Sequence, residues 1–264
     1  MALESVAPGL YRGHTSPGYW NMVGPYGGVT AATALRALLL HPQLLGEPLS
    51  ITVNYAAALA AGPFTVQADP VRTNRSTQHW TVTIFQTDAQ GQQVVTTTAT
   101  AVTAVRRDTW SLGDVPMPTV PPPAQCPRIA PRMGVEWLGR YEMRPVVGNL
   151  PENWDGQGDS SLSQLWMRDE PTRTLDFCAL AALADVFFPR VWLRRAVRVP
   201  AGTVSLTVYF HASSAELAAT DSGYVLGQAR GQEFRNGFFD QAAQLWNEAG
   251  AMLATSHQIV YFKE

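Results

Sequence analysis

The chain has 264 residues, a formal net charge of -2 and a charged fraction of 15%. This length allows one large or two small domains, each able to bury a core. A pI near 6.2 disfavours a nucleic-acid-binding protein, which usually carries a basic field. A hydrophobic fraction of 46% indicates an ordered globular chain.

Neither a signal peptide nor an apolar run of about 20 residues is recognised, so we expect a cytoplasmic protein without a membrane partner. Cys126 lies in a proline-rich stretch and Cys178 in a predicted helix, so a disulfide framework is not expected. The histidines are scattered without a metal-binding spacing, and no Gly-x-Ser-x-Gly elbow or phosphate loop occurs. We therefore expect no metal, no cofactor and no nucleic-acid partner.

The first half of the chain predicts one helix followed by strands. The helix opens at Gly27-Gly28, runs to Leu40 and stops before Pro42. Its glycines leave room for close backbone approach, and its first amides are free to face a ligand. It is apolar around most of its circumference, as a helix wrapped by a sheet should be. Strands are predicted at 49–55, 64–69, 71–74, 79–87 and 94–105.

The middle of the chain, 115–123, is rich in proline, which favours an extended connector. A further helix is predicted from Asp176 to Val186, and a loop over 148–161. We predict three regions: an N-terminal unit over 1–105, a linker over 106–133 and a C-terminal unit over 134–264.

The two halves share a pattern in sequence. The segment 51–55 matches 206–210, which lies 155 residues later. The turn signal at 88–91 matches 247–250, which lies 159 residues later. Because helix, strand and turn recur in the same order, we expect a duplicated unit. An antiparallel sheet curled around an apolar helix is the hotdog arrangement, so the chain predicts an α+β double hotdog.

The chain resembles the acyl-CoA thioesterase II family of double-hotdog enzymes over nearly its whole length. The resemblance rests on a set of segments: Trp20, Gly27-Gly28, 51–55, 184–189, 203–211 and 256–258. It implies that an Asp, a Thr and a Gln hold and activate a hydrolytic water, and these fall on Asp185, Thr203 and Gln258. It also implies substrate contacts, which we place at Gly27, Gly28, Tyr26 and Trp20. Related proteins often carry a His before the paired glycines, where this chain has Tyr26.

The residues themselves leave two interpretations of Asp185 open. It lies near the end of the predicted helix, where a carboxylate gains nothing from the helix dipole. It is either functional or satisfied by solvent and loop amides. Asp176, near the helix start, fits a capping residue.

Gln258 is predicted to lie on the apolar face of the last strand, whereas His257 points to the opposite face. A core glutamine bonded to the backbone is the alternative, and Thr203 alone is uninformative. The matching positions in the first unit are apolar or cyclic: Leu38, Pro48 and Ala99. The polar set therefore occurs once.

Two further groups have both a functional and a structural interpretation. The aromatic residues either line an acyl tunnel or belong to the core: Trp20, Tyr26, Trp166 and Phe177. Four arginines are predicted to form a basic patch, which is either a solvated face or a site for coenzyme A phosphates: Arg190, Arg194, Arg195 and Arg198.

The sequence predicts an enzyme of fatty acid metabolism that hydrolyses acyl-CoA thioesters to free acid and coenzyme A. Asp185 would act as the base, and the amides of Gly27 and Gly28 would stabilise the oxyanion. The main alternative is a protein of the same fold that binds acyl-CoA or another acyl ligand without cleaving it. A hotdog dehydratase lacks support, because neither a helix-borne His nor a Gly-Asp-x-Asn-Pro segment occurs. A structural partner subunit has nothing in its favour, and a homo-oligomer formed through the sheets is compatible with the fold.

Overall fold

The computed structural model describes residues 2–130 and 135–264. The predicted boundary between linker and C-terminal unit, at 133 and 134, lies outside the described residues, so the domain limits remain predictions. The α-helices are α1 (Gly27–Leu39), α2 (Phe177–Leu183), α3 (Arg190–Arg195) and α4 (Ser214–Thr220). The strands are β1 (Glu4–Ala7), β2 (Leu10–His14), β3 (Glu47–Tyr55), β4 (Pro63–Thr73), β5 (Thr77–Thr87), β6 (Gln93–Ala104), β7 (Tyr141–Val147), β8 (Ser163–Asp169), β9 (Ala201–Phe210), β10 (Val225–Arg230), β11 (Phe234–Arg235), β12 (Phe238–Asn247) and β13 (Met252–Phe262).

The strands form one antiparallel sheet that crosses both halves of the chain. Its order is β1-β2-β4-β5-β6-β3-β9-β13-β12-β10-β8-β7, with β11 paired to β12. Helix α1 packs against α2 and against strands of its own half, and one continuous core draws residues from both halves. This architecture confirms the predicted α+β class with two units of helix and sheet. In the described ranges no helix has the length and apolar character needed to cross a bilayer.

Helix α1 is buried over most of its length, as its composition predicts. Leu35 and Leu38 are fully enclosed, whereas Arg36 is exposed in the last turn. The residue before the helix, Tyr26, makes no side-chain cap. The first amides of α1 therefore remain available to groups outside the helix.

Strands β3 and β9 join the two units at the centre of the sheet. Thr52 pairs with Thr207, and their hydroxyl oxygens lie 3.0 Å apart. Ser50 pairs with Tyr209 on one side of this centre, and Asn54 with Ser205 on the other. Thr52 and Thr207 are 155 residues apart, which is the offset of the repeat found in the sequence. Equivalent residues of the two units therefore face each other at the centre of the β3–β9 pair, as a local two-fold axis requires.

The two predicted turns have the same structure. The amide of Gly91 donates to the Asp88 oxygen at 3.0 Å, and that of Gly250 donates to the Asn247 oxygen at 3.0 Å. Both glycines have positive φ, at 78° and 86°. The side chains of Asp88 and Asn247 each accept from the amide four residues later. This match supports duplication of one ancestral unit.

The second helix is shorter than predicted. Asp176 caps α2 by accepting from the Ala179 amide at 2.7 Å, as expected. The helix ends at Leu183 instead of Val186. The Asp185 amide bonds to the Ala182 oxygen at 3.1 Å, which is a tight turn rather than a continued α-helix. Asp185 therefore lies in the turn after α2.

The proline-rich segment packs on the outside of the sheet. The Trp166 indole on β8 donates to the Pro121 oxygen at 2.8 Å, and a small outer cluster includes Met117, Val120 and Leu226. The residues on either side of Trp166 in β8, Leu165 and Met167, point to the opposite face of the sheet and belong to the main core. The suggestion that Trp166 lines an inner acyl tunnel is therefore wrong.

Arg106 ties the two units together next to β3 and β9. Its guanidinium donates to the backbone oxygens of Pro48, Phe210, His211 and Ala212. Its Nε lies 3.5 Å from Glu47 Oε2. One side chain thus bonds to backbone from both halves.

We expect Arg106→Met to lower the free energy of unfolding by about 2 kcal/mol, because hydrogen bonds from a charged group contribute on this scale. Urea denaturation followed by circular dichroism measures the change. Arg107→Met, at the exposed neighbouring residue, is the matched control and should leave the midpoint in place. Equal midpoints for both variants would show that Arg106 does not hold the halves together.

Candidate active site

The Asp185 carboxyl group lies where the end of α2 meets the start of α1. Its Oδ1 accepts a hydrogen bond from Gln258 Nε2 at 2.8 Å. The backbone amide of Gly28 also donates to this carboxyl group. A carboxylate from the second unit thus occupies the helix start of the first unit, where free amides and the helix dipole favour negative charge.

The paired glycines make this approach sterically possible. A methyl group added to Gly27 would lie 2.7 Å from Asp185 Oδ2. One added to Gly28 would lie 2.6 Å from the Ala182 oxygen. Any larger residue would push the start of α1 away from Asp185 and α2. The sequence signal of two glycines at the helix start therefore reflects close approach, as predicted.

Thr203 orients the amide of Gln258. The Thr203 hydroxyl donates to Gln258 Oε1 at 3.3 Å. Because Oε1 accepts this bond, Nε2 is directed at Asp185. A register shift between Ile259 and Val260 pairs Val260 with Thr203 on the neighbouring strand.

The two faces of β13 are as predicted, because Gln258 is buried and His257 is exposed.

The pKa of Asp185 is raised to about 7. Burial is the main cause, since it penalises the charged form, and the bonds from Gln258 and Gly28 partly oppose it. An acid with this pKa exists in both protonation states near neutral pH. It can therefore take up a proton and return it.

Tyrosines support the walls around Asp185. The Tyr55 hydroxyl donates to the Gly27 oxygen at 2.9 Å, and the Tyr26 hydroxyl donates to the Ala182 oxygen at 2.6 Å. The Tyr26 ring stacks on Trp137 with ring centres 4.2 Å apart. Burial raises the pKa of both tyrosines well above 10, and the Asp185 charge adds to this. Both therefore stay neutral hydrogen-bond donors.

The structure brings together five of the seven residues selected from the sequence: Asp185, Thr203, Gln258, Gly27 and Gly28. Tyr26 lies beside them, but its hydroxyl is used to hold α2. Trp20 lies in the loop before α1, where its backbone oxygen accepts from the Trp137 amide at 3.3 Å. The sequence did not identify Tyr55 as a support of Gly27, although Tyr55 ends the strand used for the resemblance.

The predicted basic patch is partly wrong. Arg190 is fully buried and donates to the backbone oxygens of Ser161 and Phe188 and to the Ser163 hydroxyl. Burial lowers the pKa of Arg190 to about 9. It fixes the turn between α2 and α3 to the start of β8 and is not part of a surface.

The other three arginines lie nearer the surface. Arg194 donates to the Gly158 oxygen at 2.8 Å, Arg195 pairs with Glu264, and the Arg198 guanidinium lies over Trp154.

The matching positions in the first unit lack polar groups. Leu38 is fully buried and Ala99 is 3% exposed. Pro48, the second residue of β3, is also buried. Among the described residues no group of three or more His, Cys, Asp or Glu side chains is arranged to hold a metal ion. Cys178 is buried, and burial raises the pKa of its thiol to about 12, so it is not a reactive thiolate.

Two family models together match most of the chain. Residues 16–104 match the acyl-CoA thioesterase N-terminal domain, and residues 117–262 match the acyl-CoA thioesterase C-terminal domain. No match is found among curated proteins.

Solved structures resemble the whole chain. A conserved protein of unknown function with a hot dog fold from Alicyclobacillus acidocaldarius is 44% identical, with a TM-score of 0.92, over 100% of this chain and 96% of its own. An acyl-CoA thioesterase II, TesB2, from Mycobacterium marinum is 17% identical, with a TM-score of 0.77, over 99% of this chain and 96% of its own. A tesB protein from Mycobacterium avium subs paratuberculosis is 16% identical, with a TM-score of 0.78, over 99% of this chain and 96% of its own. The last two show the shared fold.

We expect the contribution of Asp185 to protein stability to fall as pH rises from about 4 toward 7 and to level off above 7. An unfolded Asp ionises near pH 3.9, whereas the folded protein holds the Asp185 proton until about pH 7. Below both pKa values the stability is fully present, and it is lost as pH rises through the folded pKa.

Thermal unfolding of the native protein and of Asp185→Asn at several pH values measures this effect. The Asn variant should be the more stable protein at pH 8, by on the order of a few kcal/mol, because the native fold then holds a buried charge that Asn lacks. Parallel stability curves for the two proteins would contradict the raised pKa.

Proposed function

The chain belongs to the acyl-CoA thioesterase family, and we propose that it hydrolyses acyl-CoA thioesters to free acids and coenzyme A with Asp185 as general base. One observation carries the proposal: a carboxyl group with a pKa near 7 is held between the start of α1 and Gln258. Within the described residues this carboxyl group and its polar partners occur in the second unit, and the matching positions of the first unit are apolar or cyclic, which fits one active site.

The hydrolysis needs one proton to move twice. The Asp185 carboxylate takes a proton from water as the water oxygen bonds to the thioester carbonyl carbon. The tetrahedral intermediate then collapses, the carbon–sulfur bond breaks, and the Asp185 carboxyl group returns its proton to the leaving thiolate. The products are a carboxylic acid and coenzyme A. A pKa near 7 suits both transfers.

Gln258 and Thr203 keep the base and the water in place. The Thr203–Gln258 bond fixes the Gln258 amide, and that amide fixes Asp185 Oδ1. The carboxyl group held in this way would accept a hydrogen bond from the attacking water. Positioning of this kind lowers the entropy lost on reaching the transition state.

The start of α1 supplies positive potential for the oxyanion. The Gly28 amide already donates to Asp185. Of the two amides predicted for the oxyanion, Gly27 is therefore the one we assign to this role. Tyr26, Trp20 and the glycines would form the wall of the pocket around the reacting thioester. Because the Tyr26 hydroxyl is bonded to Ala182 and its ring stacks on Trp137, Tyr26 would shape this wall by holding α1 and α2 together.

The cellular setting belongs to the same proposal. We place the enzyme in the cytoplasm, in fatty acid metabolism. Three large side chains on the outer face of β9 and β13 are exposed, Tyr209, Ile259 and Tyr261. They support pairing of copies through the sheets.

We expect coenzyme A release from a panel of short- to long-chain acyl-CoAs, and a kcat at least 100-fold lower for Asp185→Asn, the usual scale for loss of a general base. The activity of the native protein should rise with pH through about 7, as Asp185 loses its proton. Thiol detection measures both effects.

Asp176→Asn is the matched control, because it changes the same chemical group at the other end of α2. The Asp176→Asn variant should have the same kcat as the native protein. No release from any acyl-CoA, with binding still seen by calorimetry, would support the alternative of a non-catalytic acyl-CoA-binding protein. Full activity of Asp185→Asn would refute the assignment of the base.

We expect Gln258→Met to move the midpoint of the pH–rate profile to higher pH. The Gln258 hydrogen bond lowers the pKa of Asp185, so its loss raises that pKa further. Measurement of kcat/KM from pH 5 to 10 checks the shift. His257→Ala, on the exposed face of the same strand, should keep the native profile, and an unshifted profile for Gln258→Met would exclude the coupling.

A further inference from the structure

Gln241 lies beside the proposed site but was not identified from the sequence. It is on β12, directly opposite Gln258 on β13, in the antiparallel register. Both side chains face the interior, and Gln241 is 2% exposed. Directly opposed residues have Cβ atoms about 5 Å apart, so the two amides are neighbours.

Gln241 differs from the other buried glutamines in that its Nε2 has no hydrogen-bond partner within the described residues. Gln78 donates to Gln43 and Thr73 and accepts from the Leu45 amide. Gln258 bonds to Thr203 and Asp185. In the described parts of the chain, Gln241 Nε2 is enclosed and makes no hydrogen bond. A buried donor without an acceptor destabilises the fold, which suggests that the acceptor belongs to a bound molecule.

The surroundings of Gln241 place it at a break in the apolar core. On β12, Phe239 belongs to a small cluster near α3, and Ala243 belongs to the main core. On β13, Val260 and Ala254 belong to the same two clusters. The two glutamines lie between the clusters on their strands. A polar group of a substrate at this break would meet both amides.

We propose that Gln241 is a further catalytic residue, whose Nε2 donates a hydrogen bond to the thioester carbonyl oxygen of the substrate. This inference rests on the proposed hydrolysis. The carbonyl oxygen is the strong acceptor nearest the carbon that water attacks, and Gln258 beside Gln241 holds the base. The bond strengthens as the oxygen gains negative charge, so it would raise kcat more than it lowers KM.

The test compares Gln241→Met with the native protein. Methionine keeps the length of the side chain and removes the donor. We expect kcat to fall about 100-fold, the usual scale for loss of one oxyanion donor, with KM little changed. Because an unpartnered amide is removed, the thermal midpoint should be equal to or above that of the native protein. Gln244→Met, on the outer face of the same strand, is the matched control for activity and should keep the native kcat.

The outcomes are distinct. A lower kcat with an undiminished thermal midpoint supports the inference. Native kcat in Gln241→Met overturns it, and so does a loss of activity that accompanies a lower thermal midpoint, because the amide would then serve the fold. No coenzyme A release by the native protein from any acyl-CoA would refute the proposed function itself.

Discussion

The contact between the Asp185 carboxyl group and the start of α1 is the interaction on which the site depends. The acid comes from the second unit, and the Gly28 amide that receives it comes from the first. This contact requires two glycines at the helix start, because an added methyl on either would collide with Asp185 or Ala182. It also requires the two units to be fixed to each other. The pairing of β3 with β9 and the bonds from Arg106 to both halves provide that fixed geometry.

The site keeps polar groups in a place that an optimised core would fill with apolar side chains. Burial raises the pKa of Asp185, and Gln241 has a donor without an acceptor. Both features lower the stability of the fold, and under the proposed function both groups would bond to the substrate or to the attacking water. The corresponding positions of the first unit carry Leu38, Pro48 and Ala99, which fill the core without this cost. The two units therefore differ at these positions, with polar groups in the second and apolar or cyclic groups in the first.

Local patterns in the sequence predicted the elements that build the site. Paired glycines, an apolar helix, the two turns and the alternation in β13 were all visible, and the offset of 155 residues agrees with the observed strand pairing. The exact end of α2 was not visible, since Ala184 and Asp185 do not break a helical pattern. The burial of Arg190 and the pairing of Gln241 with Gln258 depend on contacts between distant segments, which no local pattern encodes.

The central claim is that Asp185 activates water and does not itself attack the thioester. A single turnover with enzyme in excess, run in water labelled with heavy oxygen, tests it directly by mass spectrometry of the acid product and of the peptide containing Asp185. If Asp185 acts as a general base, label will be found in the free acid and none in Asp185. Label in the Asp185 carboxyl group, with unlabelled acid, would show that the carboxylate attacks the substrate as a nucleophile and would exclude the general-base role.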